Sequence, residues 1–112
     1  TGSRSCFPPP PVGFDLARLE AIVTTRASAD PADSYTARLL ASGSRRAAEK
    51  VVEEAGEVAG AALAGTDAEV RDEAADLLYH LLVLLASRGV TLSQVEAVLA
   101  ERHPAERHLA DG

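Results

Sequence analysis

The run Lys50-Val-Val-Glu-Glu-Ala-Gly-Glu57, followed beyond Gly65 by Asp72-Glu-Ala-Ala-Asp-Leu-Leu-Tyr-His-Leu-Leu-Val-Leu-Leu85, decides how this chain folds. In the first stretch the apolar residues Val51, Ala55, Val58 and Ala62 recur at helical spacing. In the second, Leu77, Leu78, Leu81, Leu82, Leu84 and Leu85 cover an arc of about 160° at helical pitch. Each stretch therefore reads as one long helix, the first opened by Ser44 as its cap and lasting to about Ala64. Gly65 stops it, and Thr66 with Glu69 forms a capping box that opens the second, which extends towards Arg88 and Gly89. Two antiparallel helices of about 30 Å result.

Working outward, Asp15 reads as the N-cap of an earlier helix reaching about Ala27. Phe14 is placed to pack on Leu19, and Leu16, Leu19, Ile22 and Val23 form the apolar stripe. Residues 28 to 34, with Pro31 and two aspartates, read as a loop before a short helix from Tyr35 to Ser42 that Gly43 ends. Thr91 and Gln94 suggest a last capping box, opening a helix through Val95, Val98 and Leu99 towards Arg102. The four prolines Pro8 to Pro11 make residues 1–13 a tail, and residues 104–112 read as a frayed end. One domain over 14–103 is expected, and Thr1 to Arg4, which processing can leave behind, carry no weight in it.

Composition agrees with an all-α fold. Hydrophobic residues make up 46% of the 112, aromatics only 4%, and there is no Trp, so the core must be Ala, Leu and Val. That palette favours packed helices. The leucine arc is wider than one packing stripe needs, which suggests a four-helix bundle core made from two hairpins across a homodimer. Burial of the arc inside a compact monomer is the alternative.

A formal charge of −6 repels nucleic acid and anionic membranes. The stretch from Ala74 to Ala86 is interrupted by Asp76 and His80 and is too short for a bilayer. A single cysteine, Cys6, offers no internal disulfide, and the chain opens without a secretion signal, so a cytoplasmic setting is expected.

The two long helices also carry the chemistry. Lys50, Glu53, Glu54 and Glu57 fall within about 100° of arc on the first, and Glu69, Glu73, Asp76 and His80 within about 60° on the second. Counting outward from Gly65, Glu57 and Glu73 each lie eight residues away, Glu54 and Asp76 eleven, and Lys50 and His80 fifteen. An antiparallel pair would set these at matching heights, gathering four carboxylates whose repulsion calls for a cation. The competing reading is a solvated helix face balanced by cations at helical spacing. It is weakened because Lys50 is the only basic residue on either acidic face.

Ligand type narrows the metal. The Glu-x-x-His pattern of di-iron bundles is absent, since Gly60 follows Glu57 at that spacing and Asp76 follows Glu73. All-carboxylate ligation suits Mg²⁺ or Mn²⁺, and Mg²⁺ held this way keeps positions that substrate phosphates can take. A polyphosphate nucleotide is then a natural small-molecule ligand for an acidic protein.

These same stretches resemble the paired signatures of the MazG-like pyrophosphohydrolases and, within them, the phosphoribosyl-ATP pyrophosphatase family of histidine biosynthesis. Asp30-Pro-Ala-Asp-Ser-Tyr-Thr-Ala-Arg-Leu-Leu40 and Arg88-Gly-Val-Thr-Leu92 are similar to that family's flanking segments, and the likeness extends from about Asp15 to Arg102. Val52 departs from it, standing where many members have glycine. The resemblance implies a MazG-like fold and hydrolysis between the α and β phosphates of phosphoribosyl-ATP, giving phosphoribosyl-AMP and pyrophosphate. It further implies Glu54, Glu57, Glu73 and Asp76 as magnesium ligands, with Glu53 as a further ligand or general base.

Lys50 is a candidate for neutralising phosphate charge, against an ion pair within its own helix. Ser34, Tyr35, Thr36 and Arg38 are candidates for substrate contact, though Ser34 is equally a helix cap. His80 is either a substrate contact or a packed residue among leucines, and Tyr79 reads as core or interface. Two other functions stay open: a house-cleaning enzyme for noncanonical nucleoside triphosphates, and a non-enzymatic helical interaction module that uses the leucines and no metal.

Overall fold

A computed structural model describes residues 13–104, and the two terminal segments read as tails lie outside them apart from Gly13 and Pro104. Five helices follow one another: α1 (Leu16–Ala27), α2 (Tyr35–Ala41), α3 (Ser44–Ala64), α4 (Asp67–Ser87) and α5 (Leu92–Arg102), with no strand among the described residues.

Most of the helix starts are fixed by side chains that satisfy amide groups a helix leaves free. Asp15 accepts from the Arg18 amide at 2.9 Å, and Ser34 from the Ala37 amide at 3.2 Å. Both expected capping boxes form, Thr66 with Glu69 and Thr91 with Gln94. The start of α3 differs from expectation. Its cap is Gly43, at φ 83°, with no side-chain cap bond, and Ser44 is already helical. The left-handed turn there suits glycine. The Ser44 hydroxyl is instead hydrogen-bonded at 2.8 Å to that of Ser87, tying the start of α3 to the end of α4.

α3 and α4 form the dominant antiparallel pair, and α1 and α2 pack across the half of it farther from Gly65. Val23, Leu39, Ala47, Leu82 and Val83 make the buried cluster there, with Leu19, Leu40, Tyr79, Leu84, Leu85 and Leu92 against it. A carboxylate of α1 reaches the far end of the chain: Glu20 accepts from the Leu92 amide at 2.7 Å, at the first turn of α5.

The half of the hairpin nearer Gly65 has little cover. Ala55 and Ala62, expected in the α3 core stripe, are exposed, and Val51 and Val58 are only half-buried. Val52 is 73% exposed and Leu63 88%. On α4 the leucine arc is covered on one side, with Leu82 buried and Leu78 and Leu81 exposed. The arc is thus not enclosed by the described residues.

Candidate active site

The glutamates of α3 divide between two faces. On the outer face Arg45 and Arg46 pair with Glu49 at 3.5 and 3.2 Å, Arg46 lies 3.8 Å from Glu53, and Lys50 meets Glu53 at 3.4 Å. Lys50 is therefore not the only cation beside Glu53. Arg46, two turns before it, was not counted because the arc was drawn only from Lys50 onward. Burial works against the Lys50 charge, but the hydrogen bond and negative charge of Glu53, with Tyr35 and Glu54 nearby, hold its pKa above the ordinary lysine value.

The inner face meets α4. Across the hairpin the Glu73 carboxyl comes beside that of Glu57, as their equal distance from the turn implied. The pKa of Glu73 is raised, first by hydrogen bonding to Glu57, then by burial and by the negative charges of Glu57, Asp76 and Glu54. Glu69, also on the acidic face of α4, is committed elsewhere: its Oε1 accepts from the Thr66 amide at 2.8 Å in the capping box.

One turn farther from Gly65 the match drifts. Glu54 is only 6% exposed, and its Oε1 lies 2.5 Å from Nδ1 of His80 on α4. The same Nδ1 lies 3.1 Å from the Asp76 carbonyl oxygen. Although Glu54 Oε1 is close to the ring, no hydrogen bond is aligned on it, and it is buried without a partner. At the next level Lys50 turns to Glu53, while His80 Nε2 meets the Tyr35 hydroxyl at 2.9 Å. Helices that cross at an angle slide out of equal height away from their turn.

His80 is 7% exposed and engaged at both ring nitrogens, which is the packed alternative. The ring stands edge-on to both Tyr35 and Tyr79. Thr36 is 1% exposed and hydrogen-bonded to the Tyr79 hydroxyl, so it braces α2 against α4. Ser34 caps α2, and Arg38 donates to the Pro31 carbonyl at 2.9 Å, holding the preceding loop. Tyr35 alone of these is both well exposed, at 42%, and turned to a cleft.

That cleft has a volume of about 500 Å³ and is lined by Arg26, Asp33, Ser34, Tyr35, Thr36 and Tyr79 among others. A second, of about 350 Å³, runs along the hairpin tip between Glu57, Glu69 and Glu73. Arg26 escaped the sequence reading because nothing in α1 signals where α2 docks. The Tyr35–His80 bond escaped it for the same reason.

Among the described residues no three His, Cys, Asp or Glu side chains form a finished metal cage. The residues nevertheless fit a divalent cation. A buried carboxylate oxygen without a hydrogen-bond partner among the described residues and a carboxyl whose pKa is raised beside other acids are both costly, and both are relieved by positive charge. The donors are all hard oxygens, which suit Mg²⁺ or Mn²⁺.

An all-helical chain with an acidic seam between two long antiparallel helices is the architecture expected of the helical pyrophosphohydrolases. The chain belongs to the phosphoribosyl-ATP pyrophosphohydrolase family, whose model matches residues 16–103. It is 56% identical over 87 residues to phosphoribosyl-ATP pyrophosphatase of Erythrobacter litoralis, covering 78% of this chain and 84% of that protein. To the protein of the same name from Methylobacterium radiotolerans it is 51% identical, over 88% of this chain and 91% of that one. It is also 48% identical over 103 residues to the histidine biosynthesis bifunctional protein HisIE of Yersinia pestis, where 91% of this chain matches. The chain spans about half the length of such bifunctional relatives, 50% in that case.

Proposed function

We propose that the chain hydrolyses phosphoribosyl-ATP to phosphoribosyl-AMP and pyrophosphate with Mg²⁺, or Mn²⁺ in its place, and that it does so as a cytoplasmic homodimer in histidine biosynthesis. The observation that carries this is the inner acidic seam, with Glu54 buried and its Oε1 without a hydrogen-bond partner among the described residues, near Glu57 and Glu73, whose closeness raises the pKa of Glu73. Family membership and the likeness to phosphoribosyl-ATP pyrophosphatases support phosphoribosyl-ATP as the substrate.

Glu54, Glu57, Glu73 and Asp76 would hold the cation. The chemistry it supplies when bound is neutralisation of phosphate oxygens and easier deprotonation of water. Glu53 takes the proton from the attacking water, whose oxygen bonds to phosphorus as the link between the α and β phosphates breaks and pyrophosphate leaves. Lys50, held protonated beside Glu53, neutralises charge on the transferred or leaving phosphates. The Tyr35 ring, with Ser34 on the cleft wall, offers a stacking and hydrogen-bonding surface for the rest of the substrate. Arg38 sits one turn further along and supports the loop that frames it.

The exposed apolar residues Leu78 and Leu81 on α4, with Val52 and Leu63 on α3, support the homodimer, since one chain leaves them in water. Light scattering at micromolar concentration is expected to give the dimer mass, and a folded monomer would overturn it. No single helix among the described residues is long and apolar enough to cross a membrane. A net charge of −6 gives no attraction to nucleic acid.

Turnover of phosphoribosyl-ATP against a panel of nucleotides, with pyrophosphate detection, tests the assignment. Phosphoribosyl-ATP is expected to be cleaved to intact pyrophosphate and ATP to be a much poorer substrate. Faster cleavage of deoxynucleoside triphosphates would replace the histidine-pathway assignment with a house-cleaning one. Absence of any metal-dependent turnover would favour a non-catalytic helical module.

A further inference from the structure

The geometry points to Tyr35 and His80 as a positioning pair that holds Glu54 in place for the cation. The inference rests on the metal-site reading above and assigns the pair no contact with the reacting atoms. Glu54 is the one buried member of the acidic seam, and the closest polar group to its Oε1 is Nδ1 of His80, at 2.5 Å. The carboxylate and the Asp76 carbonyl both accept only, so Nδ1 must carry a hydrogen; it donates to the carbonyl at 3.1 Å, with Glu54 Oε1 in contact beside it. The opposite nitrogen, Nε2, is then free in the neutral ring to accept from the Tyr35 hydroxyl at 2.9 Å. Fixing one ring nitrogen fixes the tautomer and direction of the other.

Tyr35 thus faces two ways. Its ring lines the cleft of about 500 Å³, and its hydroxyl is turned inward to His80. A chain of two side chains therefore connects the wall of the cleft on α2 to a carboxylate on α3, with its pivot on α4. Groups that orient a metal-binding side chain from behind commonly change affinity by about 10- to 100-fold when removed.

Two replacements of His80 separate positioning from packing. Asn places its amide near the site of Nδ1 and keeps a donor beside Glu54, whereas Gln reaches towards the site of Nε2 and abandons Glu54. Positioning predicts that His80→Gln weakens cation binding more than His80→Asn. Packing predicts the reverse, because Asn leaves the larger gap. Tyr35→Phe keeps the ring on the cleft and removes only the hydroxyl.

The test is Mn²⁺ titration of the full, substrate-free chain, reading free Mn²⁺ by electron paramagnetic resonance, with circular dichroism to check the fold. Tyr35→Phe and His80→Asn are expected to raise the Mn²⁺ dissociation constant about tenfold, and His80→Gln towards 100-fold. Wild-type affinity in folded Tyr35→Phe and His80→Gln, or a larger loss in His80→Asn than in His80→Gln, overturns the positioning role. If the His80 variants do not fold, Tyr35→Phe decides alone. Glu54→Gln tells the two failures apart. If it loses Mn²⁺ while the pair's variants do not, only the positioning role is wrong; if it binds as the wild type does, or the wild type binds none, the metal site falls as well.

Discussion

Glu53 and Glu54 are neighbours in sequence, yet α3 turns them to opposite environments. The Glu53 side chain is 53% exposed and paired with Lys50 and Arg46, whereas that of Glu54 is 7% exposed and meets neither lysine nor arginine among the described residues, only the His80 ring. A step of about 100° around the helix separates the two. On the outer face the solvated, self-balanced reading of a charged helix holds, and exposed pairs of that kind contribute about 0–1 kcal/mol each. On the inner face it does not, because Glu57 and Glu73 meet another acid where the outer glutamates meet arginine or lysine. Charge alone does not mark a site. An acid placed where its own helix cannot neutralise it does.

The sharpest way to break this contrast is to neutralise the inner acids one at a time. Glu54→Gln, Glu57→Gln, Glu73→Gln and Asp76→Asn are each expected to lower metal-dependent pyrophosphate release by about 10³-fold or more, with helical content retained. Glu49→Gln on the outer face should leave the rate within about twofold, since its partners are exposed arginines. Near-normal rates in any two of the inner variants would remove the inner face from the mechanism.

Glu53→Gln probes the boundary between the faces. As the proton acceptor, it should lose about 10²-fold in kcat. Its Mn²⁺ affinity should stay close to that of the wild type, because its charge is already matched by Lys50 and Arg46. Loss of metal binding instead of kcat would move Glu53 into the ligand set.

The turn that aligns the two arms gives a smaller effect. A Cβ at Gly65 would overlap the Glu69 carboxylate and lie 3.0 Å from the Ala61 carbonyl oxygen. Gly65→Ala should therefore disturb the capping box and cost about 1 kcal/mol, read by chemical denaturation. Stability unchanged or raised would mean that Glu69 finds another way to cap α4.

The gentlest test is pH. The raised pKa of Glu73 belongs to the folded, metal-free chain, so its stabilising share is full below the ordinary carboxylate value and is lost as pH rises through the raised one. Melting in chelator should show stability falling over that window, and Glu57→Gln should flatten the fall. Saturating Mg²⁺ should oppose it, because a cation favours the ionised pair. An unchanged slope in Glu57→Gln would break the assignment of the shift to that bond.

Much of the fold is legible in the residues because its signals are local. Thr66 and Glu69, or Thr91 and Gln94, announce a helix start without reference to the rest of the chain, and the acids nearest Gly65 pair as counted. Ser44 misleads for the opposite reason. It has the chemistry of a cap, but its partner, Ser87, is brought to it only by tertiary packing. Thr36 reads as a substrate contact and His80 as either contact or packed residue, and only the docking of α2 on α4 reveals that both are enclosed. Ala55 and Ala62 carry the right period for a core, but period cannot tell which side of a helix has a neighbour.

The bond from Glu20 to the Leu92 amide joins residues 72 apart. Closing so long a loop costs entropy that a single hydrogen bond of about 1 kcal/mol does not offset. The hairpin about Gly65, by contrast, closes a shorter loop, Glu57 and Glu73 lying 16 residues apart, which costs less entropy. The two contacts therefore differ in entropic cost: the turn at Gly65 brings the acids nearest it together at little cost, whereas the bond from α1 to α5 depends on the helices between them being in place.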